Sequence, residues 1–454
     1  MWRGVLAGGQ SGPVSLSEAS PGDATRLVDL TPADAERIRH FEDLTWFEVA
    51  PGQTGADYVR NLDFTRTRGV EPVGPAPLGT PSDGPVPLVG TYSAWLMGVT
   101  APGPDGDLTP LPMSGLTWVG VHPDHRRRGI LRRMMVDHLH GLHDRDETPL
   151  AGLHASEPGI YGRFGYGGAS SDVSLDMGRG TEFRAGETLD ASASEVSTHF
   201  VDADSDEAAA ALHRAHLATA RHTLGTVTRG EDTARGWFAD HPTSRGGHEP
   251  LRAMFAQRGT ELTGYAVFRR VAKWNDDHQP EGEVRVRELG ATDPGSLLAL
   301  ARRLVDFDLT GKVTFYDRSP DDPLLWWAGG PRAVRVRHYD GLWLRLVDVD
   351  KALTARGYSG PVDVVLDVVD DVCPWNARRW RLSVGADGVG SCLPTDADAD
   401  VRLPVQALGA AYLGGRPIVA QAAAGQVTEL TPGAVRRLSR AMRADSDPFG
   451  AIGF

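Results

Sequence analysis

Apolar residues recur along the chain at two spacings, which predicts short strands that alternate with longer amphipathic helices. In the first part of the chain they predict, in order, a strand over 26–30, a helix that ends near 47, and strands over 88–99 and 113–121. The segment 70–86 contains many Pro and Gly residues and is predicted to be a long loop. We therefore expect a mixed α/β unit over residues 25–177, preceded by a flexible lead-in over residues 1–24.

A second unit, over residues 178–332, repeats part of this order of elements. Its patterns predict a helix over 206–223, strands over 265–271 and 284–289, a helix over 296–307 and a strand over 312–316. A third unit, over residues 333–454, has a different order. It is predicted to contain strands over 342–347, 362–368 and 380–384, followed by helices over 404–413 and 431–441. The whole chain is therefore expected to combine α/β and α+β units.

Length, composition and charge narrow the function classes. A chain of 454 residues with 41% hydrophobic residues has room for several cores. Its net charge of −13 disfavours general nucleic-acid binding and favours a cationic substrate. No apolar run approaches the roughly 18 residues needed to span a bilayer, and the start of the chain lacks a secretion signal, so we expect a cytoplasmic protein without membrane partners. Cys373 and Cys392 form no metal-like motif and are expected to be reduced structural thiols.

The segment from Leu116 to Gly168 carries the strongest chemical signal. Three arginines, Arg126 to Arg128, precede Gly129, and periodic apolar residues then mark a helix. We expect Gly129 in the first turn of this helix, where unpaired N–H groups can hold a pyrophosphate and the arginines add charge-assisted donors. The alternative is a solvated basic loop without a ligand. The apolar strand directly before the turn favours the phosphate site, and no nucleotide-triphosphatase or dinucleotide motif is present.

Two motifs in this segment resemble a known family. Arg126-x-x-Gly129-x-Leu131 after a strand resembles the acetyl-CoA pyrophosphate loop of GNAT-type N-acetyltransferases, except that its last position is Leu. The runs VHPDHRRRGILRRMM and LHASEPGIYGRFGYG resemble the enhanced intracellular survival (Eis) family of aminoglycoside acetyltransferases, in which leucine at that position is usual. This resemblance is dense only over residues 119–166.

The resemblance implies an architecture of tandem GNAT-like domains followed by a sterol-carrier-protein-like domain. The second GNAT-like domain is expected to lack the cofactor loop, because its matching turn holds Asp293, which would repel phosphate, and has no arginine run. The resemblance also implies acetyl-CoA as cosubstrate, transfer to several amines of an aminoglycoside-like acceptor, and a hexamer. We expect direct transfer in a ternary complex, since no cysteine or serine nucleophile with a partner base is evident.

The resemblance assigns roles to individual residues. The backbone at Val119 and Val121 would pair with the pantetheine arm, although both are also suitable as core residues. Tyr161 would protonate the departing coenzyme A sulfur, as a phenol with a pKa near 10 can, and nearby Tyr166 would be a packing residue. Arg126, Arg127, Gly129 and Leu131 would hold the pyrophosphate.

The base implied by the resemblance is the α-carboxylate of the last residue, Phe454, and the alternative is a frayed terminus. His154 and Ser156 are candidates for a proton relay or for the acceptor pocket, although a histidine at a strand end is more often structural. We expect no metal site, and we expect five further histidines to face solvent: His122, His125, His138, His140 and His143.

Two rival functions remain open at this point. One keeps the chemistry but transfers the acetyl group to protein lysines or to an amino-acid derivative. The other is a non-catalytic protein that binds acyl-CoA or lipid on the same folds. Turnover with an amine acceptor would separate catalysis from binding, and an acceptor panel would separate the substrate classes.

Overall fold

The computed structural model describes residues 24–47, 52–74, 84–230 and 236–454, and these form three β-sheets with helices packed against them. The predicted lead-in therefore lies outside the described residues, apart from Ala24. The strands are, in chain order, β1 (Thr25–Asp29), β2 (Arg68–Pro72), β3 (Gly90–Pro102), β4 (Leu108–Val121), β5 (Leu150–His154), β6 (Gly167–Gly168), β7 (Ser171–Gly178), β8 (Ser197–Asp202), β9 (Val227–Thr228), β10 (Arg252–Arg258), β11 (Glu261–Val271), β12 (Gly282–Ala291), β13 (Thr310–Arg318), β14 (Arg335–Asp340), β15 (Leu342–Leu346), β16 (Val362–Val369), β17 (Arg379–Val384), β18 (Gly390–Pro394), β19 (Val401–Pro404) and β20 (Thr428–Glu429).

The described α-helices include every predicted helix, to within a few residues, together with short helices that the sequence patterns did not predict. They are α1 (Ala35–Trp46), α2 (Gly55–Tyr58), α3 (Ile130–Asp144), α4 (Pro158–Tyr161), α5 (Glu187–Ser194), α6 (Asp206–Ala220), α7 (Pro294–Val305), α8 (Pro323–Trp327), α9 (Val349–Ala355), α10 (Val405–Ala411), α11 (Ile418–Ala423) and α12 (Ala434–Met442). The predicted loop over 70–86 begins too early, because Val70 to Pro72 pair with β1 as part of β2. Pro72 ends this strand, so the Pro and Gly residues of the segment mark a strand end as well as a loop. Residues 75–83 of the predicted loop lie outside the described residues.

The first sheet has the strand order β1-β2-β3-β4-β5-β15-β6, with β9 paired to β3. Helix α3 covers one face, where Met134, Met135 and Leu139 are fully buried, because apolar residues recur along that side of the helix. The opposite face shares one continuous hydrophobic core with the third sheet, in which Leu344 meets the cluster around Leu382. The third unit is therefore packed directly onto the first sheet.

Strands β4 and β5 open a gap at the centre of the first sheet. They pair in parallel only at Ser114 with Ala151 and at Gly115 with Gly152. The register of β3 against β4 then shifts between Thr91 and Ser93, and Trp118 takes a positive φ of 54°, as expected at a β-bulge. Beyond Gly115, the part of β4 that leads to the arginine turn has no strand partner on its β5 side. The edge of this segment is left available to a ligand.

The second sheet, in the order β14-β7-β13-β12-β11-β10-β8, repeats the first in outline. Strand β12, helix α7 and strand β13 follow one another as β4, α3 and β5 do. β12 and β13 also pair in parallel only over their first halves, from Gly282 with Thr310 to Val286 with Phe315. The third sheet, β18-β17-β16-β19-β20, forms a separate α+β layer with the C-terminal helices.

The first two sheets do not follow the predicted linear boundaries. β7, of which only Gly178 lies beyond residue 177, pairs with β13 and β14 in the second sheet. β14 and β15 both lie after residue 333, but β15 pairs with β5 and β6 in the first sheet. A division at 177/178 and 332/333 therefore separates β7 and β14 from the second sheet and β15 from the first. Linear patterns could not show this, because which strand edge is free depends on the folded sheets and not on chain order.

Candidate active site

The arginine turn ends at the N-terminus of α3. Gly129 is the N-cap of the helix, with φ of 78°, so it precedes the first helical residue and does not lie in the first turn as expected. A Cβ at Gly129 would meet no atom within 4 Å. The position therefore combines a left-handed backbone, which favours glycine, with open space in front of the first helical N–H groups.

One cavity of about 480 Å³ brings the predicted residues together. Every residue predicted to hold the cofactor lines it: Val119, Val121, Arg126, Arg127, Gly129 and Leu131. Ser156 and Tyr161 line it as well, from the opposite side of the gap. The cavity thus runs from the unpaired edge of β4 to the N-terminus of α3.

The donors of this cavity suit the phosphate and amide groups of acetyl-CoA. The side chains of Arg126 and Arg127 are exposed beside the helix N-terminus, and the helix dipole adds positive potential there. The open approach at Gly129 leaves room for a bulky pyrophosphate. Val119 and Val121 are half-buried on the unpaired strand segment, so their backbone can pair with an extended amide chain as another strand would. These residues fit the cofactor.

Tyr161 ends the short helix α4 and is half-buried at the cavity. Burial, followed by the nearby Glu157 carboxylate, raises the pKa of Tyr161 to about 12. The phenol therefore keeps its proton at neutral pH. Tyr166 is different: it is fully buried, its hydroxyl has no hydrogen-bond partner, and it does not line the cavity.

The C-terminal residue lies at the vertex of the gap between β4 and β5. The Phe454 ring meets the His154 ring edge-to-face with centroids 4.9 Å apart. A Cβ at Gly115, the last residue of β4 paired to β5, would lie 2.9 Å from Cε2 of Phe454. The ring can reach the vertex because glycine stands there. The Phe454 ring is therefore packed at the vertex in the structure.

His154 supports this docked terminus from the end of β5. Burial lowers the pKa of His154 to about 4, although a hydrogen bond with the Ile452 backbone opposes the shift. The imidazole is therefore neutral at pH 7, and its Nε2 atom is buried without a hydrogen-bond partner. Neither His154 nor Phe454 lines the 480 Å³ cavity itself, whereas Ser156 does.

Sequence patterns missed several residues at the site. Thr45 and Trp46, at the end of α1, line the cavity from across the first sheet. Arg163 and Phe164, which follow Tyr161 in the GRFG turn, line it too. The spacing of that turn could have indicated Arg163, but nothing in the sequence around residue 46 indicates its distance from residue 161.

The expectation that the five histidines face solvent is wrong for part of the set. His138 is buried, and burial lowers its pKa to about 3. His143 stacks on Trp375 with centroids 3.9 Å apart and hydrogen-bonds Asp348 (2.5 Å), while Nε2 of His140 bonds the Val372 backbone. The third unit covers this end of α3, which the helix pattern alone could not show. Across the described ranges, no group of three or more His, Cys, Asp or Glu side chains is arranged to hold a metal ion.

Comparison with known domain families divides the chain into three matches. An acetyltransferase (GNAT) domain matches residues 87–169, another acetyltransferase (GNAT) domain matches residues 225–346, and a sterol carrier protein domain matches residues 349–450. The predicted order of tandem GNAT-like domains and a sterol-carrier-like domain is thereby confirmed. Among the described helices, none is both long and apolar enough to cross a membrane.

Curated relatives match most of the chain. An uncharacterized N-acetyltransferase of Streptomyces avermitilis is 39% identical over 368 residues, which are 81% of this chain and 87% of the relative. N-acetyltransferase Eis of Mycobacterium tuberculosis is 33% identical over 344 residues, which are 74% of this chain and 79% of the relative.

Solved structures show the same architecture along nearly the whole chain. The crystal structure of Eis1 from Mycobacterium abscessus matches with a TM-score of 0.74 and 27% identity, over 95% of this chain and 100% of that one. A GCN5-related N-acetyltransferase from Anabaena variabilis, 17% identical, shares the fold with a TM-score of 0.75 over 95% of this chain and 100% of that one.

Proposed function

Because the chain belongs to the Eis family of GNAT-type N-acetyltransferases, we propose that it transfers acetyl groups directly from acetyl-CoA to amines of a cationic, aminoglycoside-like acceptor. The observation that carries the proposal is a convergence at one gap in the first sheet. The N-terminus of α3, Tyr161 and the docked Phe454 surround the gap between β4 and β5. Acetyl transfer to an amine needs a cofactor site, an acid and a base, and this gap offers a candidate for each.

GNAT acetyltransferases use acetyl-CoA, which supplies an acetyl group activated as a thioester. Arg126, Arg127, Gly129 and Leu131 would hold its pyrophosphate at the helix N-terminus. The backbone of Val119 and Val121 would hold the pantetheine amides and aim an N–H at the thioester oxygen.

Tyr161 is proposed as the general acid. The departing thiolate needs a proton, and a phenol whose pKa is raised to about 12 carries one throughout the neutral range. Its position on the cavity wall, opposite the arginine turn, is suited to the sulfur end of the cofactor.

The α-carboxylate of Phe454 is proposed as the base that accepts the ammonium proton of the acceptor. What supports this role is the position of the Phe454 ring, which packs against Gly115 and His154 at the gap. His154, neutral and with Nε2 unpaired, and Ser156, exposed at the cavity, would relay the proton or bind the acceptor. Removal from bulk water strengthens a carboxylate as a base.

Direct transfer without an acyl-enzyme is supported by the state of both cysteines. Cys373 and Cys392 are buried in the third unit, and burial raises the pKa of each thiol to about 12. Because the thiolate is the reactive form, neither is suited to accept an acetyl group at neutral pH.

The acceptor class is argued from the charge of the protein, and the assembly state from the family resemblance. The net charge of −13 attracts a polycation over long range, which favours an aminoglycoside or polyamine with several reactive amines. The family resemblance further supports a homohexamer, which light scattering of the purified protein would test as a mass of about six chains.

The test is thiol release from acetyl-CoA with an aminoglycoside, a polyamine and a lysine peptide as separate acceptors. We expect turnover with the aminoglycoside, reduced by Arg126→Ala mainly through a weaker affinity for acetyl-CoA. Preference for the lysine peptide would instead indicate a protein acetyltransferase. Tight acetyl-CoA binding without turnover on any amine would indicate a binding protein and contradict the proposal.

The base is tested by moving the carboxylate. A variant with two glycines appended after Phe454 should lose most of its kcat, because the charge is displaced from the gap. A Phe454→Leu variant, which keeps the α-carboxylate on an apolar residue, is the matched control and should retain more activity. Full activity of the extended variant would exclude the terminal carboxylate as base.

A further inference from the structure

We propose that the second GNAT-like unit uses its vestigial cofactor cleft to position the chain's own C-terminus, with residues 446–451 held where the first unit is suited to hold acetyl-CoA. For its effect on catalysis this inference rests on the proposed role of the Phe454 carboxylate. The holding contacts themselves do not depend on that role.

The second unit keeps the shape of a GNAT cofactor cleft. Its strands β12 and β13 diverge after Val286 and Phe315, as β4 and β5 diverge after Gly115 and Gly152. A cavity of about 360 Å³ lies in this divergence, lined by the end of β12, the start of α7 and the turn after β13. These are the elements that correspond to the walls of the first cavity.

A carboxylate of the second unit, that of Asp293, occupies the place where a pyrophosphate would bind in this cleft. Asp293 caps α7 and accepts a hydrogen bond from the Ser296 backbone N–H (3.0 Å), so the helix N-terminus already holds an anion. Asp321 and Asp322 line the same cavity. The lining guanidinium, Arg318, is paired with Asp322 at 2.6 Å. A phosphate entering here would meet fixed negative charge.

The C-terminal segment lies in this cleft. The Ser319 hydroxyl donates to the Asp447 carbonyl oxygen (3.0 Å), and the Asp447 N–H donates to the Asp321 carboxylate (3.3 Å). The Arg318 guanidinium stacks over the buried Phe449 ring, 5.4 Å from its centroid. The turn after β13 thus binds the segment through its backbone and one aromatic ring.

The opposite wall binds the segment by its backbone as well. The Phe449 N–H donates to the Leu224 carbonyl oxygen (3.3 Å), and the Val227 N–H donates to the Gly450 carbonyl oxygen (3.2 Å). Gly225, between them, has φ of 86°, and a Cβ there would lie 2.9 Å from the N and O atoms of Phe449. Only glycine allows the two backbones to approach this closely.

The two clefts are joined by the last residues of the chain. The Gly450 N–H donates to the buried Asp172 carboxylate (3.3 Å), next to His154, and the chain then ends with Phe454 at the vertex of the first gap. Few residues separate Phe449 from Phe454. The contacts of Phe449 with Leu224 and Arg318 therefore limit how far the Phe454 carboxylate can move. Leu224, Gly225, Ser319 and Phe449 are positioning residues under this proposal.

The test compares Gly225→Ala with Gly259→Ala in the full-length protein. Gly259 also has a positive φ, of 58°, but a Cβ there meets nothing within 4 Å. The Gly259→Ala substitution therefore introduces the same kind of backbone strain without contacting residues 446–451. The main readout is the rate at which a carboxypeptidase that prefers aromatic residues releases Phe454. Ser319→Ala, which removes one hydrogen bond and adds no bulk, is the second variant.

Gly225→Ala should release Phe454 about tenfold faster than wild type, and Ser319→Ala several-fold faster, since each weakens the held state relative to the open one. In Gly225→Ala, kcat should fall with little change in the Kd for acetyl-CoA, whereas Gly259→Ala should match wild type in every readout. Unchanged release in a folded Gly225→Ala protein, or equal release in both glycine variants, would overturn the inference. Faster release with unchanged kcat would support the positioning contacts and count against the Phe454 carboxylate as base.

Discussion

At the scale of single residues, burial sets the protonation state of the groups around the cavity. Tyr161 and His154 both lie in low-dielectric surroundings, which disfavour the charged form of each. The pKa of Tyr161 is raised to about 12 and that of His154 is lowered to about 4. Both groups are therefore neutral at pH 7, as the proposed roles of Tyr161 as acid and of His154 as proton relay require.

Replacing Tyr161 with Phe should lower kcat by about 100-fold or more, the usual contribution of a general acid. The ring and its packing remain, so the Kd for acetyl-CoA should change little. Tyr166→Phe is the matched control: it removes a buried hydroxyl without a partner and should leave kcat and stability unchanged or improve stability. Steady-state kinetics and acetyl-CoA titration measure both effects, and equal kcat losses in the two variants would argue against an acid role for Tyr161.

The buried His138 should make stability depend on pH. Burial lowers its pKa from 6.5 to about 3, so the unfolded chain takes up a proton that the folded chain refuses. The free energy of unfolding is therefore unaffected by this group above pH 6.5. It falls as pH is lowered from 6.5 toward 3, by up to roughly 1.4 kcal/mol per pH unit. His138→Phe keeps the ring beside Tyr92 and should lose less stability between pH 6.5 and pH 4. Urea unfolding at several pH values measures this. The same change of unfolding free energy with pH in both proteins would contradict the prediction.

At the scale of elements, the N-termini of α3 and α7 show how one structural unit gains or loses an anion site. Both helices follow a strand that diverges from its parallel neighbour. In α3 the cap is Gly129, which leaves the N–H groups accessible, whereas in α7 the cap is Asp293, whose carboxylate occupies them. The residue at the cap and the arginine run are thus what distinguish the proposed cofactor site at α3 from the helix N-terminus of α7, whose N–H groups Asp293 already occupies.

Gly129→Ala should weaken acetyl-CoA binding, because the new methyl group would stand in the open approach to the helix N-terminus. It should also cost roughly 1–2 kcal/mol of stability through its left-handed backbone. Gly180→Ala is matched to it, with φ of 68° and nothing within 4 Å of an added Cβ, but lies outside the cavity. Isothermal titration should show weaker binding in Gly129→Ala alone, and equal affinities in both variants would place the phosphates elsewhere.

At the scale of the whole molecule, a buried ion pair joins the turn that follows Tyr161 to the third unit. Arg345, on β15 of the first sheet, is fully buried and pairs with Asp370 of the third unit at 2.6 Å. Its Nε atom also donates to the Phe164 carbonyl oxygen (2.9 Å), in the turn that follows Tyr161. The third unit therefore supplies both the chain terminus and a support for the turn that carries the proposed acid.

Asp370→Ala should destabilise the protein by about 3–5 kcal/mol, because it leaves the buried Arg345 guanidinium without its counter-charge. The variant also loses the acceptor for the backbone N–H groups of Val372 and Cys373. Asp363→Ala breaks a carboxylate–arginine pair on the surface of the same unit and should cost about 1 kcal/mol or less. Urea unfolding of the three proteins measures the difference, and equal losses would show that the Arg345 pair is not the support described.

The sequence by itself determined the elements and the local chemistry. Many of the strands, the longer helices, the tandem arrangement and the acidic turn at Asp293 could be predicted, because hydrophobic period, capping and loop charge are properties of neighbouring residues. The residues proposed to hold the cofactor could be named together for the same reason, since most lie in one continuous strand, turn and helix, and the structure shows that they line one cavity.

Only the tertiary structure decided what depends on distant segments meeting. It assigned β7 and β15 to sheets other than those of their chain neighbours, covered His138, His140 and His143 with other parts of the fold, and brought Trp46 to the cavity. It also led the C-terminal segment through the second cleft to Gly115, more than three hundred residues earlier in the chain. Sequence patterns report spacing along the chain, whereas sheet edges, burial and the path of the terminus are set by packing between segments that share no local pattern.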